Sequence, residues 1–331
     1  MFTVSTSGIA ILCCVITMVG WGSWANTQKL AGKERWPFEL YYWDYAIGVA
    51  LLGIVFCFTL GSFGSAGVSA VTNLHSMSSG PVLRVIASGG LFNLSNLLLV
   101  VAIDAAGLSL AFPVGVGLAL VIGTVASYVQ LPKGNPVLLS AGVLLIICAM
   151  VMSALAHRRV GKQHSTGTGR GLAFAIAAGC LMGFFYPQLM RSISPDFNTA
   201  PIQPGYLTPY TALLLFGFGV LASNFIVNTI FMRSQGSTFA EYRAAKPRLH
   251  WFGILGGAIW MIALGMNVIA SGVAGPAVSY ALGQGATLVA ALWGVFVWRE
   301  FRGAATATKT LVALMLLGYT AGLSLIGAAI L

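Results

Sequence analysis

The chain contains very few charged side chains. Aspartate and glutamate together number only seven in 331 residues, and all charged types together make up 7% of the sequence. An ordinary soluble domain carries about 25%. Seven acids cannot solvate the surface of a chain of this length, so the composition excludes a soluble protein and predicts one whose surface faces lipid.

Histidine and cysteine are also scarce, with four and five copies. The cysteines lie inside apolar runs without metal-ligand spacing, so we predict neither a metal site nor a cofactor. No cluster of acids, and no nucleophile with its base, supports an enzyme. The formal net charge is +10, but the basic residues form no long run, which argues against nucleic-acid binding.

Apolar residues make up 58% of the chain. A helix needs about 20 of them to cross a membrane, and ten such runs occur, bounded by proline, glycine or charge. We therefore predict an all-α polytopic membrane protein with ten transmembrane helices. The predicted spans are 7–28, 40–62, 81–103, 107–129, 135–156, 171–192, 208–232, 250–271, 275–298 and 308–330.

The 17 lysines and arginines are unevenly distributed among the links. Fourteen lie after spans one, five, seven and nine or at their borders, and only Arg84, Lys133 and Arg191 lie on the other side. Because positively charged links stay in the cytoplasm, we predict a multi-pass protein of the inner (cytoplasmic) membrane with both termini outside the cytoplasm. We expect a monomer or a weak homodimer.

Two segments of the sequence are similar at an offset of 168 residues. The segment "AGLSLAFPVGVGLALV" (106–121) aligns with "AGPAVSYALGQGATLV" (274–289), and both carry Ala-Gly, an aromatic residue and Gly-x-Gly at the same spacing. A half with five spans makes the second half enter the membrane from the opposite side. We therefore predict two inverted-topology five-helix repeats, 1–156 and 171–331, joined by a cytoplasmic link at 157–170, as in many secondary transporters.

Polar and aromatic side chains recur on helical faces of both halves. Polar groups in hydrocarbon are costly unless they pair or line a wet cavity, and amides, indoles and phenols suit a small polar solute such as a sugar or a heterocyclic urea. The alternative is hydrogen bonding that joins one helix to another. The candidate solute-binding residues are Trp21, Trp24, Asn93, Asn96, Tyr186, Asn224, Trp260, Asn267, Tyr280 and Gln284.

Asp44 is the candidate for proton coupling. It lies about one turn inside the second span, flanked by Tyr42, Trp43 and Tyr45, where loss of solvent favours the protonated form. An ion pair with Lys29 or Arg35 is the alternative role. The histidines fall in links or at span edges, so a histidine relay within the membrane is not expected.

Several motifs resemble those of one transporter family. The segments "LYYWDY", "GGLFNLSNLLLVVAIDAAGLSLAFP", "PYTALLLF" and "GMNVIASGVAGPAVSYALGQGATLVAALWGVFVWREFR" resemble the ureide permeases of plants and their bacterial relatives. More widely, the chain is similar to the glucose/ribose porter and rhamnose–proton symporter branch of the drug/metabolite transporter superfamily. This resemblance implies two inverted five-helix bundles and proton-driven uptake of a small polar solute.

We therefore expect a proton-coupled importer whose partners are a small polar solute, protons and the lipid bilayer. A sugar is the first expectation for the solute, since bacterial relatives are regarded as sugar carriers. The alternative is the same mechanism with ureides or nucleobases such as allantoin and uracil. Uncoupled diffusion and export of drugs or metabolites are further alternatives.

Overall fold

The computed structural model describes residues 1–64, 66–160 and 168–330. Within these residues, ten helical segments are long and apolar enough to cross a membrane, which confirms the predicted number and the all-helical, multi-pass class. The helices are α1 (Ser7–Ser23), α2 (Ala25–Lys33), α3 (Phe38–Phe58), α4 (Ala70–Ser76), α5 (Ser79–Ala106), α6 (Leu108–Gln130), α7 (Pro136–Val160), α8 (Thr168–Met190), α9 (Pro209–Ser234), α10 (Phe239–Ala244), α11 (Pro247–Ala274), α12 (Pro276–Gly283), α13 (Ala286–Leu292) and α14 (Thr306–Ala328).

Two spans are assembled from more than one helix. The first combines α1 and α2, which meet at Trp24. The ninth combines α12, α13 and a π-helical turn at Trp293–Val297. Of the predicted cytoplasmic link, residues 161–167, which include Lys162 and His164, lie outside the described part of the chain.

The chain forms two compact units, and each draws on both predicted repeats. Unit 1 comprises Met1–Leu94 and Gln188–Val273, and unit 2 comprises Ser95–Pro187 and Ala274–Leu331. The repeat boundaries at 1–156 and 171–331, and their inverted topology, stay predictions.

In unit 1, glycines let α3 and α11 approach each other closely. Gly253 and Gly257 are four residues apart on α11, the spacing that lets membrane helices pack with their backbones near one another. A β-carbon at Gly253 would meet Asp44 and the backbone of Tyr41, and one at Gly257 would meet the backbone of Tyr45. This part of α11 therefore lies directly against the polar first turns of α3.

In unit 2, α6 and α12 begin in the same way. Gly107 precedes α6 with φ 81° and ψ 156°, and Gly275 precedes α12 with φ 82° and ψ 150°. Positive φ at these values favours glycine. The two glycines are the equivalent residues of the two similar sequence segments, so that local similarity extends to the backbone.

Candidate functional site

An aromatic cluster lies inside unit 1. The rings of Trp21 on α1 and Trp260 on α11 are stacked, with centroids 5.9 Å apart and planes inclined by 21°. Phe92 on α5 and Phe216 on α9 also pack on Trp260, at centroid distances of 4.1 Å and 5.9 Å. The structure thus brings together two predicted solute-binding residues that are far apart in the sequence. We call these four side chains the aromatic cluster.

Glycines on two helices make this cluster possible. A β-carbon at Gly20 would lie 2.7 Å from that of Ala263, so α1 can approach α11 this closely only without a side chain at that position. A β-carbon at Gly89 on α5 would meet the backbone of α9 at Phe216 and Val220. Small residues of this kind let helices approach within side-chain contact of one another in a membrane.

Asn93, next to Phe92 on α5, is fully buried, and its amide has a defined orientation. Its Nδ2 donates to Oγ of Ser223 at 3.0 Å, and that hydroxyl donates its own proton to the carbonyl of Val220 at 3.0 Å. A hydroxyl has a single proton, so Ser223 must accept from the NH₂ group of Asn93. The Oδ1 of Asn93 is then a buried acceptor that has no hydrogen-bond partner among the described residues.

Two other predicted residues in unit 1 have buried polar atoms that lack a hydrogen-bond partner among the described residues, which we call open atoms. The buried Nε1 of Trp21 and both amide atoms of Asn224 lack a hydrogen-bond partner within the described part of unit 1. A buried polar atom left in this state costs about 1–3 kcal/mol. Pairing with a bound solute would recover that cost. Trp21 offers a donor and Asn93 offers an acceptor.

The two remaining predicted residues of unit 1 lie on α11 and at the α1–α2 junction. Asn267 is fully buried on α11, seven residues after Trp260. Trp24 packs its ring on Tyr45, with centroids 5.0 Å apart. Trp24 is also three residues beyond Trp21, so the first span carries one indole to Tyr45 and the other to the aromatic cluster.

Asp44, the predicted proton-coupling residue, is bonded by two side chains from distant parts of unit 1. The phenol of Tyr242 donates to its Oδ1 at 2.5 Å. Nδ1 of His250 lies 3.0 Å and 2.9 Å from its two carboxylate oxygens. Asp44 is 2% exposed, whereas the side chain of His250 is 24% exposed. His250 therefore connects a buried carboxylate to a less buried part of unit 1.

The link that follows α9 is anchored on the first turns of α3. The hydroxyl of Ser237 donates to Glu39 at 2.5 Å, and the ring of Phe239 packs on Trp43 at 5.4 Å. Helix α10 in this link is held by a capping box in which Thr238 and Glu241 bond each other's backbone N–H. These contacts present Tyr242 to Asp44.

Tyr242 lies outside the membrane-spanning segments and acts as a protonated donor. Burial, followed by the hydrogen bond to Asp44 and that residue's negative charge, raises the pKa of the Tyr242 phenol above its ordinary value. The ring also packs edge-on against His250, with centroids 4.7 Å apart. Asp44, Tyr242 and His250 therefore form one contiguous cluster, which we call the Asp44 cluster.

Unit 2 contains the other four predicted solute-binding residues. Tyr186 on α8 and Tyr280 on α12 pack with ring centroids 4.9 Å apart. The hydroxyl of Tyr186 lies 3.1 Å from that of Ser279, and the hydroxyl of Tyr280 donates to the carbonyl of Ala119 at 3.3 Å. Asn96 and Gln284 are half-buried. The solute-binding role of these four residues stays a prediction.

One expectation about a charged group needs correction. The side chain that pairs with Asp44 is His250 rather than Lys29 or Arg35. His250 lies in the first turn of the helix Pro247–Ala274, at the edge of the span as expected, and bonds the buried carboxylate there. The spacing of Gly253 and Gly257, which begins one turn after His250, was the available signal, because it predicts that another helix lies close to this point.

Tyr242 and Ser223 were also missed. Nothing in their local sequence distinguishes them from other polar residues near a span. Within the described residues, no group of three or more His, Cys, Asp or Glu side chains comes together as a metal site.

Comparisons with known proteins identify the family of this chain. A family model described as "Ureide permease" matches residues 147–329, which is more than half of the chain. The chain belongs to the ureide permease family. Ureide permease 2 of Arabidopsis thaliana is 24% identical over 96% of this chain and 96% of its own length. Ureide permease 1 of the same plant is 22% identical with the same coverage. This family member is therefore a membrane transporter rather than an enzyme.

One solved crystal structure, described only as "protein", has a TM-score of 0.59 to this permease at 16% identity, with 96% of each chain covered. At that identity the likeness concerns the fold alone. The wider placement in the drug/metabolite transporter superfamily stays a prediction.

Proposed function

We propose that this permease is a secondary active transporter that imports a ureide or a nucleobase together with protons. The names of the plant relatives support this solute class. A sugar, the first expectation from the sequence, has no support among these relatives, so a ureide or a nucleobase becomes the leading hypothesis.

The structural observation that carries the proposal of a site for a small polar solute is the fixed amide of Asn93, directly after Phe92 on α5. A ureide presents N–H and C=O groups in alternation within a nearly planar framework. The open Oδ1 of Asn93 can accept from such an N–H, and the open indole N–H of Trp21 can donate to such a C=O. Because buried polar groups that lose their partners are penalised, a site built this way rejects solutes that lack the matching groups.

The stacked indoles of Trp21 and Trp260 suit a flat solute. Planar conjugated groups pack favourably on aromatic faces in offset arrangements. These two rings already pack on each other in planes inclined by 21°, so a flat solute that displaces one of them meets the face of the other. We assign solute recognition first to Trp21, Asn93, Asn224 and Trp260 of unit 1. Trp24 and Asn267, and in unit 2 Asn96, Tyr186, Tyr280 and Gln284, stay secondary candidates.

We assign proton coupling to the Asp44 cluster. A charged carboxylate in a span is costly, so Asp44 is stable either protonated or held by its two donors. Tyr242 and His250 stabilise the ionised form, and loss of their hydrogen bonds favours uptake of a proton. His250, being partly exposed, is the residue through which a proton reaches Asp44.

A chain of contacts links the two sites inside unit 1. Tyr45 follows Asp44 directly on α3, its ring packs on Trp24, and Trp24 lies one turn from Trp21. A shift of α3 on protonation of Asp44 would therefore displace Trp24 and, through the same span, the stacked indoles of Trp21 and Trp260. Coupling requires only that the solute prefers the state in which Asp44 is protonated.

For the architecture we propose alternating access by two inverted five-helix repeats, in the arrangement of the drug/metabolite transporters. The matching backbone at Gly107 and Gly275 supports the repeat. The bias of positive charge supports residence in the cytoplasmic membrane with both termini outside the cytoplasm. A monomer or weak homodimer is sufficient for this mechanism.

The test is binding followed by uptake. Purified protein is heated with allantoin, uracil, ribose or glucose, and a ligand that binds the native state raises the unfolding temperature. We expect a shift with allantoin or uracil, and accumulation of the same compound in vesicles with an inward proton gradient. A shift and accumulation with the sugars alone would overturn the assigned solute class.

A further inference from the structure

Unit 2 has a cavity of about 530 Å³ where its last two spans meet the link that joins them. Three cationic side chains line it, Arg299, Arg302 and Lys309, together with five apolar ones that include Phe301 and Val312. The cavity therefore combines concentrated positive charge with a hydrophobic wall.

The described part of the chain supplies no counter-charge to the three cations. Among the described residues, none of Arg299, Arg302 and Lys309 takes part in an ion pair. The acid that is nearest in the sequence, Glu300, has its Oε2 3.3 Å from Nε2 of His157. A bound anion is the natural counter-charge for such a group, and guanidinium groups match the geometry of phosphate.

The charged and apolar parts of the cavity lie at different depths. Arg299 and Arg302 belong to the link that follows the span ending at Val297, and Lys309 lies in the first turn of α14. The apolar wall continues along α14 to Leu316, which is about 15 Å beyond Thr306 at 1.5 Å per residue. The cations therefore lie at the membrane boundary, and the apolar wall extends into the hydrocarbon.

The backbone at the cavity is also unusual. The preceding span ends in the π-helical turn Trp293–Val297. Such turns are rare in proteins as a whole, and those that occur are often at functional sites. Arg299 has φ 54°, a conformation that few residues other than glycine adopt. Such a conformation persists only where the surroundings require it.

We propose that this cavity binds one anionic phospholipid. Its phosphate lies on Arg299, Arg302 and Lys309, and one acyl chain follows Val312 and Leu316. A soluble phosphate would use the cations but not the apolar wall, and a neutral lipid would use only the wall. Basic pockets of this kind at helix ends on the cytoplasmic side bind anionic head groups, and the predicted orientation puts the cavity on that side.

The experiment measures lipid retained by the full-length protein. The protein is equilibrated in vesicles of phosphatidylcholine with phosphatidylglycerol and extracted in a mild detergent. Native mass spectrometry then measures the mass of the protein with any lipid that it retains. The test variant carries Arg299→Gln, Arg302→Gln and Lys309→Gln. We expect the unaltered protein to retain one phosphatidylglycerol and the variant to bind it on the order of 100-fold more weakly, since each basic residue at an anionic surface contributes about fivefold.

A matched control removes three cations elsewhere. Arg233, Arg243 and Lys246 are exposed residues of unit 1, in or beside a link predicted to face the same side, and their replacement by glutamine should leave retention unchanged. Equal loss in the control would show general surface attraction and overturn the proposal. If the triple variant does not fold, Arg302→Gln alone serves, with an expected loss of about fivefold.

Soluble probes separate the lipid from free phosphate. Inorganic phosphate and glycerol phosphate at millimolar concentration should neither bind nor displace phosphatidylglycerol, because they cannot contact the apolar wall. Displacement by either probe that depends on the three cations would show a soluble phosphate site and overturn the lipid assignment. This readout does not involve transport, so it is independent of the proposed solute.

Discussion

Among the described residues, each unit contains one pair of a histidine and a carboxylate, and the two pairs differ in burial. In unit 1, Nδ1 of His250 is 2.9 Å from Asp44, which is 2% exposed; in unit 2, Nε2 of His157 is 3.3 Å from Glu300, which is 36% exposed. An exposed pair contributes at most about 1 kcal/mol. A carboxylate buried in an apolar span is costly to keep ionised, and residues of that kind in membrane proteins mark ion or solute pathways.

A similar contrast separates Asn93 of unit 1 from the two singled-out tyrosines of unit 2. In unit 1, Asn93 keeps an open carbonyl oxygen among the described residues. In unit 2, the phenols of Tyr186 and Tyr280 are engaged with Ser279 and with the carbonyl of Ala119. Polar groups that already have a hydrogen-bond partner stabilise the fold, whereas those without one can bond to a solute. This contrast supports the proposal that unit 1 recognises the solute and couples its transport to protons.

The largest expected effect on solute accumulation is at the buried pair of Asp44 and His250. With one proton per solute, a gradient of about one pH unit supports about tenfold accumulation, because one unit corresponds to 1.36 kcal/mol. Asp44→Asn should abolish this accumulation in reconstituted vesicles while counterflow exchange continues. Glu300→Gln, the matched change at the exposed pair, should accumulate normally. Undiminished accumulation by Asp44→Asn would remove Asp44 from the coupling role.

A smaller effect is expected at the open amide. Asn93→Ala should weaken solute binding about fivefold, which corresponds to one neutral hydrogen bond, as measured by calorimetry on purified protein. Asn135→Ala is the control, because Oδ1 of Asn135 accepts from Val137 N at 3.0 Å at the start of α7. It should lower stability by about 1 kcal/mol through the lost cap without changing affinity. Normal binding by Asn93→Ala would mean that the site lies elsewhere.

The smallest effect is expected at a satisfied phenol. Tyr280→Phe should lower the free energy of unfolding by about 1 kcal/mol, since it removes one buried hydrogen bond, and should leave solute affinity unchanged. Tyr128→Phe in the same unit changes a half-buried ring and should alter neither. If Tyr280→Phe instead weakens binding at normal stability, Tyr280 contacts the solute and the contrast of the two units fails.

The number and type of spans could be predicted because they depend on local composition. A helix that crosses hydrocarbon needs about 20 apolar residues wherever it lies in the fold, and the ten predicted runs match the ten helical segments. The sequence grouped Trp21 with Trp260 only because both are indoles on helical faces. It did not predict that the two rings stack. Their stacking depends on how closely α1 and α11 approach, which Gly20 permits.

The class of solute could not be predicted from the residues alone. Indoles and amides pack and bond with sugars as well as with flat ureas, so Trp21, Trp260 and Asn93 do not separate the two. Similarity to the ureide permeases, over nearly the whole chain in the longest matches, changed the order of those hypotheses.

The sequence by itself determined that this is a multi-pass membrane protein, because seven acids and long apolar runs leave no other solvent for its surface. It also predicted ten spans, and the described residues contain ten helices long and apolar enough to cross a membrane. Tertiary structure decided which groups meet. Tyr242 and His250 lie about 200 residues from Asp44. The packing of α3 against α11 brings His250 to it, and the link that contains α10 brings Tyr242. The amide of Asn93 likewise takes its direction from Ser223 on another helix, because a hydrogen bond has a direction that only both partners together define.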